Sequence, residues 1–110
     1  MTHPVPTGQP CDVPVESIQE VGGIYFRSIM LEKAGMIVWQ HVHDHEHATY
    51  IGRGSARLWV DGQWIGDYKE DQAVGIEAGK KHMFQALAPN TRLTCVHDVA
   101  SAEAQKSRSG

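Results

Sequence analysis

The sequence predicts an all-β domain, an antiparallel barrel or sandwich of short strands. Three observations carry this prediction. Short runs of β-forming residues recur along most of the chain. Turn residues separate them, chiefly Gly, Asp and Pro-Asn. No stretch keeps the apolar period of a helix. Together these favour closed or double-layered antiparallel sheets.

The elements follow in order. Met1 to about Val15 carries Pro4, Pro6, Pro10 and Pro14. Proline lacks a ladder donor and fixes φ, so this segment reads as an extended arm, which is drawn as 1–20. Ile24–Leu31 is rich in β-formers, and Met36–His43 follows after Lys33-Ala34-Gly35. His47–Ile51 ends at Gly52-Arg53-Gly54. Ala56–Val60 and Gln63–Tyr68 flank Asp61-Gly62, a hairpin signal because Gly tolerates the positive φ of a type I′ turn. Ala73–Ile76, His82–Leu87 and Arg92–Val99 complete the set, with Pro89-Asn90 turning between the last two. Residues 21–100 thus form one β-domain, and the small, polar residues 101–110 read as a flexible tail.

Bulk properties narrow the function. A chain of 110 residues builds a core without disulfide staples. Cys11 and Cys95 make no disulfide framework and read as small buried hydrophobes. A net charge of -3 argues against nucleic acid or an anionic membrane as partner. No apolar run resembles a signal peptide or spans a bilayer, so a cytoplasmic location is expected by default.

Four of the seven histidines, His41, His43, His45 and His47, fall two residues apart. Alternate residues of a strand share a face, so this spacing can aim several imidazoles at one point. Neutral imidazole is the commonest protein ligand for transition metals. A solvated surface patch is the competing reading, and His45 fits it. His3 lies in the arm and His97 in the last strand, where it reads as a core or rim residue.

The histidines sit in a recognisable frame. Gly35, His41, His43 and Gly54 fit G-x-x-x-x-x-H-x-H-x-x-x-E-x-x-x-x-x-x-G, with His47 in place of the glutamate. Gly79 and His82 fit P-x-G-x-x-H, with Glu77 replacing the proline. Asp71, preceded by Glu70, falls where a Gly-Asp pair is frequent. On these motifs the chain, from about Ile24 to Val99, resembles the cupins, small barrels with a double-stranded β-helix or jelly-roll fold. The resemblance implies that His41, His43, His47 and His82 converge inside the barrel on one divalent metal. The set His43, His45 and Thr49 would break the glycine frame. Trp39, Thr49 and Phe84 would line a small-molecule pocket, as would Ile37. Tyr25, Arg27, Tyr50, Arg57 and Gln85 are further polar candidates, of which alternation must turn about half outward. Trp59 and Trp64 flank the hairpin as packing or interface residues.

Replacing the glutamate by His47 leaves a divalent site with more positive charge, hence a stronger Lewis acid. Mechanisms in which the glutamate takes a substrate proton do not fit. Nitrogen ligation suits Mn, Fe, Co, Ni, Cu or Zn. The expected function is dioxygenase-like oxidation of a small oxygenated molecule at this tetrahistidine centre. The alternatives are a non-redox isomerase or lyase acting on a sugar-acid-like compound, or a non-catalytic ligand-binding module. An open barrel edge and a Pro-rich arm suit strand exchange, so a homodimer is expected.

Overall fold

A computed structural model describes residues 3–8, 10, 13, 15–40 and 47–98, with Trp39 and Gln40 described in backbone only. Among the described residues the strands are β1 (Val15–Val21), β2 (Ile24–Leu31), β3 (Ile37–Gln40), β4 (His47–Arg53), β5 (Ser55–Val60), β6 (Gln63–Lys69), β7 (Ala73–Ile76), β8 (His82–Ala86) and β9 (Thr91–Asp98). They form two sheets in the orders β1-β2-β9-β4-β7 and β3-β8-β5-β6. Every pairing is antiparallel. The described residues include no helix long and apolar enough to cross a membrane.

The two sheets face each other across one core. Ile29, Leu31, Ile51 and Leu93 from the first sheet meet Val38, Leu58, Phe84 and Ala86 from the second. Asp61 and Gly62 both take positive φ between β5 and β6, as the hairpin signal required. The tip also anchors the turn before β8. Asp61 Oδ1 accepts from the Lys81 N–H at 3.0 Å, and the Asp61 N–H donates to the Lys81 carbonyl at 2.7 Å. This fixes where β8, and therefore His82, begins.

Two features depart from the sequence reading. Residues 15–20, drawn as part of the arm, belong to an edge strand paired along β2. Val15, Ile18 and Val21 recur every third residue and all of β1 is exposed, so no two-residue alternation marked it. The second concerns β3. Ile37 was expected to face the interior, but it packs outside the barrel with Trp59 and Met83, under Val5 and Trp64. Val38 faces the core instead. The arm is the physical reason. It lies over this sheet, with the Trp59 indole N–H donating to the His3 carbonyl at 2.8 Å and the His3 ring edge-on to Trp64 at 4.7 Å. Beneath the arm both faces of the sheet carry buried apolar residues, so apolar residues no longer identify the inside. Trp59 and Trp64 are thus packing residues beneath the arm.

On the same outer face, Arg57 binds Asp67 through two hydrogen bonds of 2.8 Å, and the Trp64 indole adds a third at 3.0 Å. The Arg57 hydrogen bonds hold the Asp67 carboxyl below its usual range, with help from Trp64. A depressed carboxyl pKa stabilises the fold above the unfolded pKa, and this contribution is lost as pH falls through the folded value. The melting-temperature gap between wild type and Asp67→Asn should therefore be constant near neutrality and shrink below about pH 4. The pair is partly exposed, so the gap corresponds to about 1 kcal/mol or less. A gap that widens on acidification would contradict this assignment.

Candidate metal centre

The barrel interior changes character along the strands. Cross-strand partners share a face, so the register sorts interior residues into rows. Ile29, Leu93 and Ile51 form an apolar row. Arg27, Cys95, Thr49 and Val74 form the next. One step further, Tyr25 pairs with His97 and His47 with Ile76 on the same face. In the opposite sheet Phe84 and Leu58 give way to His82 and Val60. The polar ends of the two sheets hold His47 and His82.

β4 lies between β9 and β7, and its alternation buries His47, Thr49 and Ile51. His47 is 5% exposed, His82 1% and Thr49 0%. The two imidazoles lie with centroids 5.2 Å apart and planes at 49°. Both nitrogens of His47 and Nδ1 of His82 are shielded from solvent. With metal–nitrogen bonds of about 2.1 Å, two imidazoles on adjacent positions of one ion put their centroids about 4.5 Å apart in octahedral and about 5.3 Å apart in tetrahedral geometry. The observed spacing fits that arrangement. Phe84 is fully buried and stands edge-on to His82, centroids 6.1 Å apart, so it forms the apolar floor beneath the imidazoles. The Thr49 hydroxyl is buried at the same end and has no hydrogen-bond partner among the described residues.

The remaining expected residues fall as follows. His41, His43 and His45 lie outside the described residues. Trp39 pairs in register with Met83, and its side chain also lies outside what is described. Among the described residues alone, no group of three His, Cys, Asp or Glu side chains forms a metal-holding set. The polar candidates divide cleanly. Tyr25 and Arg27 share the interior face with Thr49. Tyr50 faces out and donates from its hydroxyl to Asp71 at 2.5 Å, which raises the phenol pKa. Arg57 is held by Asp67 outside the barrel, and Gln85 pairs with Ile37 and donates to the Gly35 carbonyl at 3.4 Å.

Sequence reasoning missed that Cys95 and His97 share the site's face. His97 packs on Tyr25, centroids 4.9 Å apart. The apolar run Leu93, Cys95 with Thr91 was the available signal, but Thr94 and Val96 on the other parity obscured it.

Comparison with known proteins agrees with this architecture. A cupin-domain family model matches residues 28–97, from β2 to β9. No curated protein sequence matches the chain. Among solved structures, an RmlC-like cupin protein with a double-stranded β-helix fold from Methanocaldococcus jannaschii superposes with a TM-score of 0.67 at 16% identity, covering 96% of this chain and 94% of that one. KdgF from Halomonas sp. superposes at 0.63 with 15% identity, covering 82% and 92%. Oxalate decarboxylase from Bacillus subtilis superposes at 0.60 with 28% identity over 69% of this chain, which corresponds to 21% of that longer one. Cupins commonly hold a divalent metal, and the paired buried imidazoles supply donors of the right kind. The family model spans well over half the chain, the fold is the double-stranded β-helix, and this chain belongs to the cupin family.

Proposed function

We propose that this protein binds one divalent transition metal through His41, His43, His47 and His82 and acts there on a small oxygenated organic molecule, by dioxygenase-like oxidation. The observation that carries the reading is the His47–His82 pair, buried side by side at the polar end of the barrel. The motif positions of His41 and His43 support the other half of the set. KdgF and oxalate decarboxylase share the fold, which supports a small-molecule role for it. A bound ion would supply Lewis-acid or redox chemistry at the pocket. The chain's own residues supply the rest: His47 and His82 as neutral donors, Phe84 as an apolar wall and Thr49 as a hydroxyl toward the ligand. His47 is committed to the metal in this reading and takes no substrate proton.

Elemental analysis and Co²⁺ titration test the site. His47→Ala and His82→Ala should each weaken metal binding at least tenfold, as expected for loss of a direct ligand. His45→Ala should leave it unchanged. A wild-type protein that retains no divalent transition metal would end the proposal. Oxygen uptake across a panel of enols, diketones and hydroxy acids then tests the reaction class. One observation favours a second reading, non-redox isomerase or lyase chemistry: an imidazole, His47, stands where a carboxylate would offset the metal's charge. Turnover by the Zn²⁺ form without oxygen would select it.

A further inference from the structure

A second set of polar groups shares the barrel interior with the imidazoles. Arg27 is flanked on its own face of β2 by Tyr25 and Ile29, which are 8% and 4% exposed. Arg27 itself is only half-buried. Its guanidinium makes no ion pair or hydrogen bond among the described residues. A long arginine stem can lie along its buried neighbours while its guanidinium keeps water, so the charged head stays available to a ligand. In the same row, across β9 and beyond Cys95, stands Thr49, whose fully buried hydroxyl also has no hydrogen-bond partner among the described residues. Two strand spacings, about 10 Å, separate the two backbones. The long arginine side chain covers much of that gap. In β1, Ile18 and not an acidic residue pairs in register with Arg27, while Glu20 pairs with Tyr25.

We infer that Arg27, with the Thr49 hydroxyl, is an anion-binding subsite that holds the carboxylate of the ligand one row from His47 and His82. The inference rests on the proposed metal site and names its substrate class: an organic acid with a carboxylate at one end and an oxygen donor at the other. A guanidinium matches a carboxylate through two parallel hydrogen bonds, and a neighbouring hydroxyl donates to the same group. The charge balance agrees, since four neutral imidazoles leave the cation's charge without a protein carboxylate. An anionic ligand would neutralise both centres. Arg27 is therefore a binding residue that selects acids over alcohols, amides and neutral sugars.

Calorimetric titration of the Co²⁺-loaded protein with oxalate, malonate and succinate tests this, with the matching diamides and diols as neutral controls. At least one dicarboxylate should bind, and the neutral controls should not. Arg27→Ala should weaken that binding tenfold or more, Arg27→Lys less, and Thr49→Val severalfold. The Co²⁺ absorption spectrum and metal affinity should be unchanged in all three. Circular dichroism checks the fold, and Arg27→Gln replaces the alanine variant if that one unfolds. Equal dicarboxylate binding by wild type and Arg27→Ala would overturn the inference, as would equal binding of neutral controls or no binding by wild type. If Co²⁺ does not bind, the metal reading fails by itself, and the same dicarboxylate comparison on cobalt-free protein still decides the role of Arg27.

Discussion

Phe84→Ala is expected to lower the unfolding free energy by about 3–5 kcal/mol. Phe84 has no solvent exposure and lies between Val38 of β3 and Leu58 of β5, which pair with it in register. Its ring fills the space between the two sheets directly below His82. Truncation loses the transfer energy of the ring and leaves a cavity that paired strands cannot close, because their spacing is set by backbone hydrogen bonds. For a domain of about 100 residues this lowers Tm by roughly 12 °C or more. Phe84→Leu keeps most of the volume and should cost much less. Denaturant melts of both variants provide the check. A loss for Phe84→Ala no larger than for Phe84→Leu would place the ring outside the core. Because the same ring supports His82, the alanine variant should also weaken the proposed metal binding even where it remains folded.

Gly54→Ala is expected to cost about 2–4 kcal/mol, from two effects that add. Gly54 has φ +78, a left-handed conformation in which a Cβ is strained. The added Cβ would also lie 2.9 Å from the Thr91 Cα and closer still to its hydroxyl oxygen. Thr91 is fully buried; its hydroxyl donates to the Ala88 carbonyl at 2.9 Å and accepts from the Ser55 N–H at 3.3 Å. It therefore cannot step aside without breaking the contacts that join the start of β5 to the start of β9. Gly35 provides the control. Its φ is +91, but nothing lies within 4 Å of a Cβ there. Gly35→Ala should show the conformational cost alone, about 1–2 kcal/mol. Equal losses at the two positions would rule out the Thr91 contact as a cause. The two glycines frame the same histidine motif for different physical reasons.

Much of this protein was legible in its sequence. Turn chemistry determined the strand boundaries, because Asp61-Gly62, Gly54 and Pro89-Asn90 restrict backbone angles locally, whatever surrounds them. The motif frame singled out His47 and His82, and both are buried and adjacent, since strand parity and glycine spacing are local properties too. The inward or outward sense of β2 and β3 was not legible. Phe26, Ile29, Met30 and Leu31 occupy both parities of β2, and Ile37 and Val38 both parities of β3, so the pattern alone offered two answers. Packing chose between them: the arm covers the outer face of one sheet, which turns Ile37 out, and pairing with β9 turns Tyr25 and Arg27 in. Tertiary structure alone decided that Arg27, Cys95 and His97 share the interior face with Thr49 and His47. These residues are far apart in the chain, and only strand pairing across β2, β9 and β4 places them on one surface. Local chemistry thus determined which residues bend or extend the chain, and long-range pairing decided which of them face one another.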